Sequence, residues 1–238
     1  MSQKGQLYLI PTRLGDQPPL EVLPLSTRKK ITDINHYIVE NEKVARRFIK
    51  KIVPSKSQDK LNINLLNKFT QDIEIPEFLK PCEDGLDIGL MTDAGCPGVA
   101  DPGSKVVNLA HRQSIKVVPL VGPSSIILAL MASGLNGQNF AFNGYLPIDK
   151  GECKKRIKQL EKHAETNNQS QIFIETPYRN GQLFETFLKT LKPHTQLCVA
   201  VDLTLNTEFI LTKSVSAWQN EEPDWHKRPA IFIFQPEF

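Results

Sequence analysis

The 238-residue chain lacks the features that mark several common protein classes. It has no apolar run near the roughly eighteen residues that a membrane-spanning helix needs. Its four cysteines form no C-x-x-C pair, which argues against a zinc site and a disulfide framework. No G-x-G-x-x-G follows the first predicted strand, so the usual dinucleotide fingerprint is missing. Neither sign of charge dominates, because the net charge is only +3.

The amino terminus and the cysteines together predict a cytoplasmic protein. Residues 1–5 carry no apolar h-region, so we expect no secretion signal. The cysteines at positions 82, 96, 153 and 198 are typical of reduced thiols in that compartment. No cluster of His, Cys and carboxylate residues has ligand spacing, so no metal is predicted. A hydrophobic content of 40% is enough for an ordinary core.

Basic residues are concentrated in two stretches of the chain. The first spans 43–51 and holds five of them without an acid, and the second spans 150–162 and holds six against two glutamates. Such patches suit a polyanion. Solvated helix faces are the other explanation, and composition leaves both open.

The most informative stretch is the loop at 92–103, with three glycines and two prolines directly after an apolar run at 86–91. It reads as a ligand loop at the carboxyl end of a strand, where open α/β sheets bind ligands. Asp101 and Pro102 look like an N-cap and the first residue of the next helix. A second strand–glycine–proline loop follows at 121–125, and we expect both loops to face one cleft. A stiff surface turn is the alternative.

The order of elements predicts an α/β protein with two domains, 1–120 and 121–238. Strands alternate with helices in the first domain, which favours a mainly parallel sheet with flanking helices. The apolar spacing at 61–69 suggests a helix there. In the second domain, paired strands are expected at 197–203 and 208–212, which indicates a mixed sheet richer in antiparallel pairing.

Five motifs in order resemble those of a known family. The first, Thr92-Asp93-Ala94-Gly95-Cys96-Pro97 with Asp101-Pro102-Gly103, is similar to the S/T-D-A-G-x-P…D-P-G signature of the tetrapyrrole methylase superfamily. The others match, in order, the ribosomal RNA small subunit methyltransferase I branch of that superfamily, which methylates a cytidine ribose 2′-hydroxyl. They are Leu7-Tyr8-Leu9-Ile10-Pro11-Thr12, Pro119-Leu120-Val121-Gly122-Pro123-Ser124-Ser125, Phe142-Asn143-Gly144-Tyr145-Leu146-Pro147 and Ile174-Glu175-Thr176-Pro177-Tyr178-Arg179.

The chain departs from that branch mainly in the segments that would contact the molecule receiving the methyl group, the methyl acceptor. The branch's A-E-D-T-R segment is Val39-Glu40-Asn41-Glu42-Lys43 here, which keeps only the glutamate. Its E-L-T-K segment is Asp202-Leu203-Thr204-Leu205, without the lysine. Pro229-Ala230 before the last strand resembles the tetrapyrrole-acting members instead. The motifs assigned to the methyl donor are therefore better preserved than those assigned to the methyl acceptor.

The resemblance implies a two-domain tetrapyrrole-methylase-like architecture that binds S-adenosylmethionine between its domains. It also implies a homodimer. The residues that it assigns to the donor lie in the two glycine–proline loops and in three other segments. They are Pro11, Asp93, Ala94, Gly95, Val99, Ala100, Ser124, Ser125, Ile174, Pro229 and Ala230.

For the acceptor side, the resemblance and the residue types leave alternatives open. Glu40 and Glu175, each at a strand end, are candidates for the base that takes the hydroxyl proton, or for structural hydrogen-bond acceptors. Arg46, Arg47 and Arg179 are candidates for holding RNA phosphates, although Arg179 can instead pair with Glu175. The leading hypothesis is a methyltransferase acting on RNA in the small ribosomal subunit. A methyltransferase for a small molecule such as a tetrapyrrole, and a donor-binding protein without catalysis, are the alternatives.

Overall fold

A computed structural model describes residues 3–221 and 225–237 of the chain. The chain divides into two compact units, Met1–Ser124 and Ser125–Phe238. The boundary predicted from the sequence lies near residue 120, and Leu120 N–H donates to the Leu9 carbonyl within the first unit. No helix in the described ranges is both long and apolar enough to cross a membrane.

The first unit contains a five-stranded sheet in which every pairing is parallel, with the order β3-β2-β4-β1-β5. Its strands are β1 (Gln6–Leu9), β2 (His36–Val39), β3 (Asn62–Leu65), β4 (Ile88–Met91) and β5 (Lys116–Pro119). Its helices are α1 (Leu25–Asp33), α2 (Glu42–Ile52), α3 (Ile75–Glu83) and α4 (Ser104–Arg112). The parallel sheet predicted for this part of the chain is confirmed.

Side chains that alternate along the strands separate two apolar clusters. Tyr8 and Tyr37 pack in one cluster with residues of α2, including Phe48 and Ile49. Leu7 and Ile38 belong to the other cluster, with α3 and α4. Central strand β4 is buried along its whole length, as expected for a parallel strand covered by helices.

Two local predictions in this unit are wrong. The segment expected as a helix at 61–69 contains β3, because its residues pair with β2 from His36↔Asn62 to Val39↔Leu65. Tertiary pairing here overrides an apolar spacing that also fits a helix. Asp101 does not cap α4: the helix begins at Ser104, and its N-cap is Gly103 with a φ of 144°.

The second unit has a mixed sheet with the order β6-β7-β10-β8-β9, in which only β6 and β7 pair in parallel. Its strands are β6 (Phe140–Phe142), β7 (Ser170–Glu175), β8 (Gln196–Val201), β9 (Phe209–Ser214) and β10 (Ala230–Gln235). Its helices are α5 (Ser125–Ser133), α6 (Lys150–Asn167), α7 (Asn180–Thr190) and α8 (Val215–Trp218). The expected antiparallel pair is present as β8 and β9.

An aromatic core holds this unit together. The Phe173 ring lies 5.5 Å from Phe187 and 5.2 Å from Phe234, measured between ring centroids. The Phe187 ring also lies 5.8 Å from the rings of Phe232 and Phe234. Such ring pairs add to the stability that burial alone provides.

Candidate functional site

Four loops leave the carboxyl edge of the parallel sheet in the first unit. They follow β1, β2, β4 and β5, and parallel pairing brings all four strand ends to the same edge. The loops carry the candidate residues of this unit at positions 11, 40, 93–95, 99–100 and 124. Ligands bind at this edge in open α/β sheets.

Hydrogen bonds join the loop after β4 to the loop after β1. Thr12 N–H donates a hydrogen bond of 2.9 Å to the carbonyl of Gly95. The Thr12 hydroxyl donates to the carbonyl of Thr92 at 3.3 Å, and the Thr92 hydroxyl donates to that of Ala94 at 3.4 Å. Thr12 is not a candidate on the sequence alone, but these bonds make it a positioning residue for the loop.

The backbone of this loop takes up conformations that are uncommon for L-residues. Gly95 and Gly98 have φ values of 79° and 78°, and Ala100 has 64°. A non-glycine residue in the left-handed region costs on the order of 1 kcal/mol. Val99 and Ala100 are both exposed beside this turn.

The loop after β5 touches both of these loops. The Cys96 thiol lies 3.4 Å from the Pro123 carbonyl that it donates to. Gly122 lies against Pro11 so closely that a Cβ there would be 2.3 Å from the Pro11 Cβ. Ser124 follows at the end of this unit and is half-buried. Pro11, Gly95 and the second glycine–proline loop thus form one contiguous group.

Three carboxyl groups, those of Glu40, Asp93 and Asp101, make the electrostatic potential at this edge more negative. Burial and the charge of Glu40 raise the pKa of Asp93. Burial, Glu40 and Asp93 raise the pKa of Asp101 to about 6. Their mutual repulsion would be relieved by a cationic group. Within the described ranges, no three His, Cys, Asp or Glu side chains are grouped so that they could hold a metal ion.

A hollow of about 210 Å³ opens beside Asp93 and Ala94. Its wall includes the turn at 12–15 and, from α2, Val44, Arg47 and Phe48. Arg47 is exposed, whereas Arg46 is held by Glu42 at 2.8 Å and by the Gln58 carbonyl at 2.7 Å. The structure therefore separates the two arginines, because Arg47 alone of the pair lines the hollow.

In the second unit, Glu175 is fully buried at the end of β7. Its Oε1 accepts a 2.7 Å hydrogen bond from Thr176 N–H, and its Oε2 lies 3.1 Å from Nη2 of Arg179. The ion pair that the sequence left open is therefore present.

The remaining candidates of the second unit lie on two elements. Ala230 pairs with Glu175 in the sheet, and the next pair joins Ile231 to Ile174, so Ile174 lies beside the segment that follows Pro229. Ser125 is the first residue of α5.

Comparison with known proteins connects this architecture to enzymes. No model of a known protein family matches the sequence. The methyltransferase CobJ, whose crystal structure is known, has the same fold, with a TM-score of 0.64 at 13% identity over 98% of this chain and 94% of that one. This similarity confirms the α/β two-domain tetrapyrrole-methylase-like architecture.

Relatives named ribosomal RNA small subunit methyltransferase I cover almost the whole chain. The protein from Bacillus subtilis is 30% identical over 224 residues, which are 93% of this chain and 72% of that one. Those from Buchnera aphidicola subsp. Schizaphis graminum and Escherichia coli O157:H7 are 26% and 27% identical, and each match covers 98% of this chain and 79% of the relative. The protein is thus a methyltransferase, and it belongs to the ribosomal RNA small subunit methyltransferase I family.

Proposed function

We propose that this protein transfers a methyl group from S-adenosylmethionine to a ribose 2′-hydroxyl of small-subunit ribosomal RNA. The observation that carries the proposal is the convergence of four loops and three carboxyl groups at one edge of the parallel sheet. The names of the relatives support RNA as the acceptor. We expect the protein to act in the cytoplasm, where this RNA is found, and as a homodimer, as the family resemblance implies.

The residues at this edge fit the polar groups of the donor. Asp93 and Asp101 offer carboxylates to its ammonium and sulfonium charges, and those charges would offset the burial and the mutual repulsion that raise the pKa values of both acids. Backbone groups of Ala94, Gly95, Val99 and Ala100 are placed by the left-handed turns, and Pro11 and Ser124 complete this side. Four residues of the second unit stay donor candidates on the family resemblance. They are Ser125, Ile174, Pro229 and Ala230.

When bound, the donor supplies an activated methyl group, so the chain's contribution is to position the acceptor and to accept its proton. We assign the role of base to Glu40, because it is half-buried at the same edge as Asp93 and Asp101. Glu175 is committed to Thr176 N–H and to Arg179, so it positions this turn. Arg47, exposed in the wall of the hollow, is the arginine best placed to hold a phosphate of the acceptor strand.

Transfer of a labelled methyl group tests the proposal. Small ribosomal subunits from cells that lack this protein should become labelled in their RNA when the enzyme and labelled donor are added. Label in small molecules alone would favour a tetrapyrrole-like acceptor, and donor binding without any transfer would favour a non-catalytic protein. Either result would refute the proposal.

Two substitutions separate the donor side from the acceptor side. Asp93→Asn should weaken donor binding by roughly 10- to 100-fold in calorimetry, since a charged hydrogen bond contributes about 1.5–3 kcal/mol. The matched control is Asp59→Asn, on an exposed loop residue. Arg47→Gln should raise the KM for RNA and leave donor affinity unchanged, and exposed Arg28→Gln on α1 should change neither. If Arg47→Gln matches Arg28→Gln, Arg47 does not bind the acceptor.

A further inference from the structure

Helix α6 carries four lysines at intervals of four residues, which we call the α6 ridge: Lys150, Lys154, Lys158 and Lys162. We propose that the α6 ridge binds the phosphate backbone of a single-stranded segment of the RNA substrate. This inference rests on the proposed function and adds to it a contact surface in the second unit, outside the hollow that contains Arg47.

The packing of α6 places these lysines in one row. Its buried residues are Cys153, Ile157, Leu160, Glu161 and Ala164, which define the face turned to the core. Residues four apart lie one above the other on a helix, about 5–6 Å apart. Because each step of four residues also turns by about 40°, the ridge extends for about 18 Å and winds about a third of the way round the helix. Its spacing is of the same order as that of neighbouring phosphates along a nucleic-acid strand.

The ammonium groups of the ridge have no hydrogen bond or ion pair within the described part of the chain, although Glu185 lies close enough to Lys150 to feel its charge. Two acids of the same helix are engaged elsewhere. Glu161 accepts from Lys192 N–H at 2.8 Å and from the Thr195 hydroxyl at 2.5 Å. Glu165 pairs with the Lys192 side chain at 2.6 Å. Two of the three acids on α6 are thus engaged away from the ridge, and the third, Glu152, is exposed in the first turn.

The other basic stretch behaves differently, and the contrast strengthens the inference. On α2, Arg46 is bonded to Glu42, Lys50 donates to the Pro54 carbonyl at 2.6 Å, and Lys51 pairs with Asp16 at 2.8 Å. Most of that stretch is therefore satisfied within the first unit. The two basic patches have similar composition, but three of the five basic side chains at 43–51 have internal partners, whereas the whole α6 ridge is left for an external anion.

The placement of the ridge works against the stability of the free helix. Like charges four residues apart repel each other, and Lys150 lies in the first turn, where the helix dipole disfavours a cation. A local arrangement that costs stability without an internal partner is characteristic of functional surfaces.

The chemistry of α6 favours RNA over a lipid surface as the polyanion. An interfacial helix inserts an exposed apolar face into the membrane. The apolar side chains of α6 are instead buried in the core of the second unit, and its exposed positions are polar or charged apart from Gly151. A row of cations without exposed apolar side chains matches a phosphate backbone.

The test compares two triple variants of the full chain with equal charge loss. The ridge variant is Lys154→Gln/Lys158→Gln/Lys162→Gln. The control is Lys29→Gln/Lys60→Gln/Lys116→Gln, which removes three exposed lysines of the first unit. Binding of a short single-stranded RNA from the small-subunit sequence is measured over a range of salt concentrations, and donor affinity is measured by calorimetry.

We expect the ridge variant to bind this RNA about 10- to 100-fold more weakly at 0.1 M salt. The slope of log K against log salt should become shallower by about 2, since each phosphate contact on a single strand contributes about 0.7. Donor affinity should stay unchanged in both triple variants, which also shows that they are folded.

Equal RNA affinity and salt slope in the two triple variants would overturn the inference. So would a loss confined to binding of anionic lipid vesicles. Methylation separates this inference from the proposed function. If the unmodified protein binds RNA through the ridge but transfers no methyl group to it, the function fails and the ridge stands. If it methylates RNA and the ridge variant does so with the same KM, the ridge fails and the function stands.

Discussion

The substitution Gly122→Ala tests whether the two glycine–proline loops depend on their close contact at Pro11. A Cβ at position 122 would lie 2.3 Å from Cβ and 2.7 Å from Cγ of Pro11, and 3.1 Å from Cδ2 of Leu23. Carbon atoms in contact are normally about 3.5–4.0 Å apart, so the overlap with the proline ring exceeds about 1 Å.

The proline ring cannot yield easily, because hydrogen bonds hold the residues on both sides of it. Ile10 N–H donates to Leu90 and Thr12 N–H donates to Gly95, each at 2.9 Å. The backbone of one loop must therefore move. Overpacking in a well-packed site costs about 1–3 kcal/mol, and we expect about 3 kcal/mol here.

Hydrogen exchange of the amides at 10 and 12 reports the free energy of opening of this unit alone, which suits a chain with two units. Gly122→Ala should lower that free energy by about 2–3 kcal/mol and weaken donor binding at the same time. Gly137→Ala is the control, since a Cβ at that position meets no atom within 4 Å. If Gly122→Ala stays within about 0.5 kcal/mol of the unmodified protein and keeps its donor affinity, the loop contact is not structural.

Three further predictions concern charge, core and capping. Asp101, with its pKa raised to about 6, keeps a proton in the folded chain that the unfolded chain loses above its ordinary pKa of 3.8. The free energy of unfolding should therefore fall between about pH 4 and pH 6, and Asp101→Asn should make this fall smaller in urea titrations, leaving the part due to the raised pKa of Asp93; an unchanged pH profile would contradict the raised pKa of Asp101. Phe187→Ala should lower stability by about 3–5 kcal/mol in urea unfolding, because four aromatic rings meet there; a loss below about 1 kcal/mol would contradict that packing. Asn41→Ala should cost about 1 kcal/mol, since the Asn41 side chain caps Lys43 N–H and Val44 N–H; exchange of the α2 amides measures the loss, and unchanged exchange would rule out the cap.

The sequence predicts the parallel sheet and the β8–β9 pair because both follow from local patterns. Alternating strands and helices imply parallel pairing, and two short apolar runs separated by a turn imply an antiparallel pair. Strand β3 is missed because Leu61, Leu65 and Leu66 fit a helical spacing as well as they fit an edge strand. Only the pairing with β2 decides between them, and that contact is not local.

The sequence predicts the motifs that form the candidate site, but it does not predict the cluster of acidic side chains there. Asp93 and the loop around it stand out in the sequence, but Asp101 looked like a helix cap and not like a member of an acid cluster. One feature of the sequence could have indicated the acid cluster. Glu40 follows β2, and both Asp93 and Asp101 follow β4, so neighbouring parallel strands place all three at one edge of the sheet. The difference between Arg46 and Arg47 depends on contacts with Glu42 and Gln58, which the sequence does not reveal.

The most direct test of the central claim locates the transferred methyl group within the RNA. Small-subunit RNA is labelled by the enzyme with S-adenosylmethionine carrying a labelled methyl group and is then hydrolysed with alkali. A methyl group on a ribose 2′-oxygen blocks cleavage of the adjacent phosphodiester, so the account predicts that the label appears in an alkali-resistant dinucleotide. Label in mononucleotides, which indicates base methylation, or no label in the RNA would contradict it.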